Sequence, residues 1–487
     1  MRTTSPARTN EPVVTRQLGV VRLPARIVVA GTHSGAGKTS VATGLALALV
    51  QAGHKVATAK VGPDFIDPGY HAVATGRPGR NLDAWMSGAA AVPALAERAA
   101  GDADVLVVEG VMGLFDGAAS AVPGAVDSAR DDASTAHVAR LLDAPVVLVV
   151  DAASMSRSVA AIVNGFMSFD PDVRVAGVIL NRVGSDSHEA LLRDALEPLG
   201  IAVLGVLRRD DAFAWRDRHL GLVPVVEQHA EVAASVGRLA TAVAAGCDLE
   251  AVVKLAHTAP STVPGVPLRA TKCLVAERSR ATTNRPLRIA VAGGSAFSFS
   301  YPDNVERLAE TGAEVVPFDP LLDPALPDDL HGLVVGGGFP EVFGAALADN
   351  APLLVDVARR VRAGLPTWAE CGGLLWLARS LDGHAMAGVI DADGAMTDRL
   401  NLGYRTARAL VDTPIGPAGT ELRGHEFHYS ALNPPGSAMH FEGRFGAAEA
   451  GHASPTLFAS YLHVHLGADP TPAEHFVQTC AARRDPN

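Results

Sequence analysis

The sequence lacks three features that would define its class at once: a membrane span, a cysteine framework and an excess of basic residues. Its longest apolar runs, such as residues 145–150, have the length of a strand and fall far short of the roughly 20 residues that cross a bilayer. Four scattered cysteines in 487 residues form no Cys-x-x-Cys pair, which argues against a disulfide framework or a zinc ribbon. The net charge of −11 argues against a protein that binds the phosphate backbone of nucleic acids.

The first 24 residues are polar and contain no apolar core of the kind that secretory signals have. We therefore expect a disordered tail over residues 1–24 and a cytoplasmic protein with no nucleic-acid or membrane partner. Apolar residues make up 48% of the chain and charged residues 19%, which is typical of a globular protein with more than one core. At roughly 150 residues per domain, the length predicts about three domains or two large ones.

Short apolar runs alternate with helical patterns along most of the chain. In the first half, these runs predict buried strands at residues 26–30, 56–61, 105–108, 145–150, 176–180 and 201–206. A helix is predicted over residues 40–53, with Gly53 closing it. Strands that alternate with helices predict a parallel, doubly wound α/β sheet that is covered on both faces.

The pattern weakens over residues 249–286, where prolines and polar residues accumulate, and we interpret this stretch as a linker. A second α/β series follows, with strands predicted at residues 287–292, 314–318, 332–335 and 366–369. The sequence therefore predicts two doubly wound domains, one over residues 25–248 and the other over residues 287–487.

The first chemical motif is a glycine-rich loop between a predicted strand and a predicted helix. Residues 31–39 read GTHSGAGKT, in the context that a phosphate-binding P-loop requires. We expect Lys38 to reach the β- and γ-phosphates of ATP and the Thr39 hydroxyl to ligate Mg²⁺. An ordinary glycine-rich turn is the alternative, because Thr32 stands where the strict pattern has glycine. Asn181 could bind the nucleotide base or cap a turn. The further residues expected at the nucleotide are Gly35, Gly37, Ser40 and Lys60.

Carboxylates follow the next two strands of the predicted sheet. Residues 60–71 read KVGPDFIDPGYH and contain Asp64 and Asp67, and Glu109 ends the third strand. Ligands bind at the carboxyl ends of parallel strands, so we expect Asp64, Asp67 and Glu109 to take part in catalysis. Asp64 and Glu109 are predicted to ligate Mg²⁺ together with Thr39. As the alternative, one or more of these carboxylates caps a turn.

The second motif is a cysteine at a sharp turn between a strand and a helix. Residues 366–378 read PTWAECGGLLWLA, with Cys371 at the turn and two glycines behind it. This pattern is typical of a nucleophile elbow, where the helix N-terminus favours the thiolate, and a buried structural cysteine is the alternative. A thiolate needs a base, and spacing alone does not choose between His463 and His465. Residues 336–341 (GGGFPE) could bring backbone N–H groups to an oxyanion.

Taken together, these segments resemble the family of cobyrinic acid and hydrogenobyrinic acid a,c-diamide synthases. The resemblance is carried by seven motifs in the same order and extends over about residues 26–475. The first domain is also similar to dethiobiotin synthetase, whose loop has the same shifted start. The second domain resembles a class I glutamine amidotransferase domain, which implies a flavodoxin-like sheet.

The resemblance implies an ATP- and glutamine-dependent ligase that amidates the a- and c-acetate carboxylates of a corrinoid acid in cobalamin biosynthesis. It implies that each carboxylate is activated as a phosphoryl anhydride and that Cys371 is the amidotransferase nucleophile. It ranks His463 above His465, because His463 matches the family's Tyr-Leu-His segment. Triad amidotransferases carry Glu two residues after that histidine. His465 stands there in this chain, so a Cys–His dyad is expected.

Two other functions remain open from the sequence. One is amidation of other corrin side chains, as in cobyric acid synthase, although the motif at residues 60–71 favours the a,c-diamide enzyme. The other is a P-loop ATPase switch with a non-catalytic amidotransferase domain, against which the presence of both Cys371 and His463 argues. The expected partners are the corrinoid acid, ATP and glutamine, and a homodimer is an open alternative. The sequence leaves open whether the corrin contains cobalt and which carboxylate reacts first.

Overall fold

The computed structural model describes residues 18–118, 132–209, 229–273, 286–444 and 446–484. Within these ranges the chain forms two α/β domains, each with its own parallel core sheet, as the sequence predicts. Of the expected tail, residues 1–17 lie outside the described residues. Its last part is ordered, because Gly19–Arg22 (β1) pairs with Thr262–Gly265 in an antiparallel two-stranded sheet.

The first domain contains a seven-stranded sheet in which each described pair of neighbours is parallel. In spatial order its strands are Arg80–Leu82 (β4), Val56–Val61 (β3), Val105–Glu109 (β5), Ala25–Gly31 (β2), Val146–Asp151 (β6), Val175–Val183 (β7) and Ala202–Arg208 (β8). The six predicted strands are confirmed with small shifts of their ends. Side chains alternate between the faces, so that Val28 belongs to the core on one side and Val29 to the core on the other.

Helices cover both faces of this sheet. They are Lys38–Gln51 (α1), Asp67–Thr75 (α2), Ala84–Ser87 (α3), Val92–Ala100 (α4), Thr135–Leu141 (α5), Ser158–Phe169 (α6), Asp186–Leu196 (α7), His229–Gly246 (α8) and Leu249–Ala256 (α9). Two short 3₁₀ turns lie at Ala89–Ala91 and Glu197–Leu199. The helix predicted over residues 40–53 begins two residues earlier, because the glycine-rich loop runs directly into it, and it ends at Gln51.

The stretch interpreted as a linker is regular over its first part, which corrects that interpretation. Helix α9 packs against the first-domain core through Val252 and Ala256, and Thr262–Gly265 (β9) pairs with β1. Leu249, Val253 and Leu255 of the same helix are partly buried against this core, so the first part of the stretch belongs to the first domain. Residues 274–285 of the stretch lie outside the described residues.

The second domain contains a six-stranded sheet whose spatial order is Glu314–Phe318 (β11), Arg288–Ala292 (β10), Gly332–Val335 (β12), Thr367–Glu370 (β13), Leu457–Ser460 (β21) and His452–Ser454 (β20). The described pairs are parallel except β20 with β21. The helices of this domain are Pro302–Glu310 (α10), Gly344–Asp349 (α11), Ala351–Arg362 (α12), Gly372–Leu377 (α13) and Thr471–Arg484 (α14). The four strands predicted here are confirmed.

A further, mostly antiparallel sheet in this domain was not predicted. Its strands are Ser380–Leu381 (β14), His384–Ala385 (β15), Asp393–Ala409 (β16), Glu421–Asn433 (β17), Met439–Gly443 (β18), Gly446–Ala450 (β19) and His463–Val464 (β22). Its longest strand, β16, is exposed over much of its length and has no regular alternation of apolar residues. No helix in the described ranges is both long and apolar enough to cross a membrane.

A network of ion pairs joins the two domains. Arg80 and Arg98 of the first domain contact three acidic residues of α10 in the second. Asp303 lies 2.9 Å from each arginine, Glu306 lies 2.7 Å from Arg80, and Glu310 lies 2.8 Å from Arg98. Asp303 is almost fully buried, so its charge is screened little by solvent. The network fixes α10, and the residues that precede it, against the first domain.

Candidate active site

The phosphate loop joins β2 to α1 at the carboxyl edge of the first sheet. Gly37 precedes the helix with a φ of 97°, a left-handed conformation that favours glycine. A Cβ at Gly37 would lie 2.3 Å from Asn181 Nδ2. Asn181 is buried, donates from Nδ2 to the Ala36 carbonyl at 3.0 Å and accepts at Oδ1 from the Arg182 N–H. Through these contacts Asn181 supports the loop.

Lys38 begins helix α1 and is 7% exposed. Its ammonium donates to the His33 carbonyl of the same loop at 3.3 Å. Burial, with a contribution from nearby Lys60, lowers the pKa of Lys38 to about 8. An ammonium that is desolvated next to another cation gains strongly from an anion, so the loop favours phosphate at this position. Ser40 is buried in the first turn of the same helix, and Gly35 has a left-handed φ of 82°.

The predicted carboxylates gather next to the loop around two basic side chains. Glu109 Oε1 accepts from the Thr39 hydroxyl at 2.7 Å and lies 2.8 Å from Lys60 Nζ. Lys60 Nζ also lies 2.7 Å from Asp67 Oδ2. On its other side, Glu109 Oε2 lies 2.7 Å from His71 Nε2. Four residues named from the sequence therefore form one contiguous cluster: Thr39, Lys60, Asp67 and Glu109. His71 is a further member, which the sequence reasoning did not single out.

The electrostatics of this cluster differ between its two buried carboxylates. Burial alone would raise the pKa of Glu109, but Lys60 and His71 hold that pKa well below its usual range. Burial, together with the charges of Asp64 and Glu109, raises the pKa of Asp67 well above its usual range. Burial would lower the pKa of Lys60, but Asp67 and Glu109 raise it above its usual value. Glu109 is therefore the firmly ionised carboxylate next to the Thr39 hydroxyl.

Asp64 lies at the start of α2 and has the contacts of a capping residue. Its Oδ1 accepts from the backbone N–H of Ile66 at 2.7 Å and of Asp67 at 2.9 Å. This is the turn-capping geometry that the sequence left as an alternative. Its charge nevertheless raises the pKa of both Lys60 and Asp67, so Asp64 belongs to the electrostatics of the cluster.

The cluster offers Mg²⁺ a small number of oxygen ligands. Among the described residues, no group of three or more His, Cys, Asp and Glu side chains has the arrangement of a metal site. The oxygens of Thr39, Asp67 and Glu109 are nevertheless the hard donors that Mg²⁺ takes, and Thr39 lies between the carboxylates, 2.7 Å from Glu109 and 3.4 Å from Asp67. Mg²⁺ commonly completes its shell with water and substrate phosphates, so two or three protein oxygens are sufficient.

The second site lies at the carboxyl edge of the second domain's six-stranded sheet. Cys371 connects β13 to α13 and has a φ of 47°, which is rare for a residue with a side chain and is typical of a strained nucleophile elbow. Its backbone N–H donates to the Ser460 carbonyl at 2.7 Å. Gly373 allows the tight turn, because a Cβ there would lie 2.4 Å from the Val335 carbonyl oxygen.

The structure separates the two candidate histidines. The ring of His463 is buried, with Nδ1 3.4 Å from Glu370 Oε2. Burial would lower the pKa of His463, but its interactions with Cys371 and Glu370 raise that pKa to about 10. His465 instead faces the domain interface, where Nε2 lies 3.7 Å from Asp303 Oδ2 and Nδ1 lies 3.5 Å from Ser87 Oγ. Cys371 and His463 are therefore the pair that the fold brings together.

The glycine-rich segment that follows β12 borders this pair. A Cβ at Gly337 would lie 2.4 Å from His463 Cε1, and a Cβ at Gly372 would lie 3.1 Å from the backbone nitrogen of Gly338. The backbone of residues 337–338 thus packs directly against the histidine and the nucleophile turn. The Gly337 N–H donates to the Phe299 carbonyl at 3.1 Å, so of these two residues Gly338 is the one whose N–H could face an oxyanion.

Phe65 joins the two sites, and sequence reasoning missed it. It follows Asp64 in the first domain, and its ring lies 4.9 Å from the His463 ring, 5.2 Å from that of Phe299 and 4.4 Å from that of Tyr301. The Tyr301 hydroxyl donates to the Pro63 carbonyl at 3.3 Å. The loop that carries the first domain's carboxylates therefore packs against the histidine of the second domain.

These features define a class of protein: a P-loop nucleotide-binding domain coupled to a thiol amidotransferase domain. Residues 27–223 match the family model of the CobQ/CobB/MinD/ParA nucleotide binding domain, and residues 288–471 match that of the CobB/CobQ-like glutamine amidotransferase domain.

The chain is 48% identical to hydrogenobyrinate a,c-diamide synthase of Streptomyces coelicolor, over 93% of this chain and 97% of the relative. It is 47% identical to the protein of the same name from Thermobifida fusca, over 94% of this chain and 97% of the relative. It is 43% identical to cobyrinate a,c-diamide synthase of Syntrophotalea carbinolica, over 93% of this chain and 98% of the relative. The chain belongs to the a,c-diamide synthase family, and it is an enzyme, a carbon–nitrogen ligase that takes its nitrogen from glutamine.

Proposed function

We propose that this enzyme amidates the a- and c-acetate carboxylates of a corrinoid acid with ATP and glutamine, in the cytoplasm, as part of cobalamin biosynthesis. The observation that carries the proposal is the contact of Phe65 with His463, because it joins an ATP-type site to a glutaminase-type site. Five relatives named for hydrogenobyrinate are 44–48% identical and three named for cobyrinate are 38–43% identical, which favours the cobalt-free acid as substrate. The homodimer stays a prediction.

At the glutaminase site, we assign Cys371 as the nucleophile and His463 as the acid–base residue. The Cys371 sulfur attacks the carboxamide carbon of glutamine while the backbone N–H of Gly338 stabilises the oxyanion. The carbon–nitrogen bond breaks, and ammonia leaves with a proton from His463. Water then hydrolyses the glutamyl thioester, which releases glutamate and restores the thiol.

At the synthetase site, Lys38 and the loop backbone bind the phosphates of ATP, and Asn181 supports the loop. A carboxylate oxygen of the corrin attacks the γ-phosphorus, and ADP leaves. Thr39, Asp67 and Glu109 would hold Mg²⁺, which would neutralise charge on the phosphates. Asp64 and Lys60 line the same site. Ammonia then attacks the acyl carbon, and inorganic phosphate leaves, so that one amide forms for each ATP.

The product identifies the reaction directly. Purified protein is incubated with hydrogenobyrinic acid or cobyrinic acid, together with ATP, Mg²⁺ and glutamine, and the corrin is examined by mass spectrometry. We expect two carboxyl groups to become primary amides, at the a and c positions, with faster turnover of the cobalt-free acid. Amides at other positions would identify a cobyric acid synthase-type enzyme, and ATP hydrolysis that is independent of corrin would favour the switch.

The ionised Glu109 carboxylate is predicted to be essential for synthesis. Glu109→Gln removes the charge next to Thr39 and Lys60, so we expect amidation to fall about 10²–10³-fold with glutamine or with ammonia. Glutamine hydrolysis at Cys371 should continue. Asp102→Asn, which removes an exposed carboxylate of the same domain, is the control. Near-normal turnover of Glu109→Gln at saturating ATP and Mg²⁺ would show that Glu109 is structural.

Phe65 is predicted to keep ammonia between the two sites. Phe65→Ala opens the aromatic contact to water, so part of the ammonia is lost before it reaches the activated carboxylate. We expect the number of glutamines hydrolysed per amide formed to rise several-fold, while amidation from added ammonia is retained. Phe65→Leu keeps an apolar side chain of similar reach and should lie between the wild type and Phe65→Ala. An unchanged ratio in Phe65→Ala would contradict this route.

A further inference from the structure

Glu370, the residue immediately before the nucleophile, contacts the ring of His463. Its Oε2 lies 3.4 Å from His463 Nδ1, within ion-pair distance, and Nδ1 forms no hydrogen bond with any of the described residues. The other carboxylate oxygen, Oε1, accepts from the indole N–H of Trp368 at 3.0 Å. Both side chains are buried, so this contact is shielded from solvent.

A histidine that activates a thiol needs a partner on its second ring nitrogen. Such a partner fixes the orientation of the ring and selects the tautomer that leaves the other nitrogen for the thiol. In this chain His465 stands where the triad glutamate would be, and it faces Asp303 and Ser87 at the domain interface. The role of the third group therefore has to come from elsewhere in the fold.

Two other carboxylates near the site already have partners. Glu426 forms an ion pair with Arg405 at 2.8 Å, and Asp303 is bound by Arg80 and Arg98. Of the carboxylates in the described ranges, Glu370 is the one within 4 Å of His463. Its own backbone is fixed by β13, which pairs in parallel with β21 from Thr367 to Glu370. Glu370 thus reaches the histidine from a rigid strand.

We propose that Glu370 is the positioning residue of the glutaminase site and completes a Cys371–His463–Glu370 triad in which the carboxylate comes from the nucleophile's own strand. Trp368 holds one carboxylate oxygen and leaves the other for His463 Nδ1. The ring is then held with Nε2 available to the thiol. This inference rests on the proposed glutaminase function of Cys371. Consistent with it, the charge of Glu370 contributes to the raised pKa of His463.

Three variants measured with two nitrogen donors test the proposal. Glu370→Ala should lower the kcat for glutamine about 10–100-fold and leave the KM for glutamine within about twofold, because orientation of His463 is lost and substrate contacts are not. Alkylation of Cys371 by iodoacetamide should slow in parallel. Glu370→Gln keeps an oxygen that accepts from Nδ1, so it should recover part of the loss. Amidation from ammonium chloride should be unchanged in both, which also shows that the variants fold.

Glu474→Gln is the matched control, because Glu474 is a buried carboxylate of the same domain that pairs with Arg269 away from the site. It should leave glutamine kinetics unchanged. A Glu370→Ala enzyme with normal kcat, or one that loses the ammonia reaction equally, would overturn the proposal. Failure of the underlying function is distinguished by Cys371→Ser: if that variant still amidates with glutamine, the glutaminase assignment itself is wrong, whatever Glu370 does.

Discussion

Cys371→Ser should separate the two half-reactions of the enzyme. Serine keeps the size of the side chain at the strained turn, so the elbow is retained while the thiolate nucleophile is lost. We expect glutamine hydrolysis and glutamine-dependent amidation to fall by more than about 10³-fold, and ammonia-dependent amidation to continue. The measurement is the rate of amide formation with glutamine and then with ammonium salt, for the same preparation.

Two histidine variants serve as controls for this result. His463→Ala should show the same pattern as Cys371→Ser, because His463 contacts the thiol. His465→Ala should retain glutamine hydrolysis, since His465 lies against Asp303 and Ser87. A Cys371→Ser enzyme that remains active with glutamine, or one that is folded yet inactive with ammonia, would contradict a mechanism with two separate sites.

Lys38→Ala is expected to have the second large effect, and unlike the effect of Cys371→Ser it should not depend on the nitrogen donor. Both nitrogen donors need the activated carboxylate, so amidation should fall by at least about 10³-fold with glutamine and with ammonia alike. Glutamine hydrolysis at Cys371 should persist, because that site is in the other domain. Retained hydrolysis also shows that the variant is folded. Lys55→Ala, which removes an exposed lysine of the same domain, is the control. Normal ammonia-dependent amidation in Lys38→Ala would exclude the assigned role.

Local sequence was sufficient for the parts of the fold and site that depend on near neighbours. Strands such as Val56–Val61 are continuous apolar runs, because a parallel sheet buries both of their faces. Lys38 and Cys371 each stand at a glycine-rich strand–helix turn, where the turn itself dictates the residue pattern. These features can be recognised from a few consecutive residues, and the structure places them as the pattern predicts.

The features that sequence reasoning missed depend on distant parts of the chain. Phe65 gains its role only because the domains dock, and Glu370 only because β22 brings His463 next to β13. The sheet built on β16 and β17 was not predicted, since its strands are long, partly exposed and without regular alternation. Asn181 could not be placed in advance, because its contact with Ala36 depends on how β7 lies beneath the loop.

Transfer of nitrogen between the two sites of a single chain is the central claim, and an isotope competition tests it most directly. Wild-type enzyme is supplied with corrinoid acid, ATP, Mg²⁺, glutamine labelled with ¹⁵N in its amide and an excess of unlabelled ammonium, and the product is examined by mass spectrometry. We predict that both new amides carry predominantly ¹⁵N, because ammonia passes from Cys371 past Phe65 without mixing with solvent. Amides in which ¹⁵N is diluted to its share of the ammonia in solution would contradict the account.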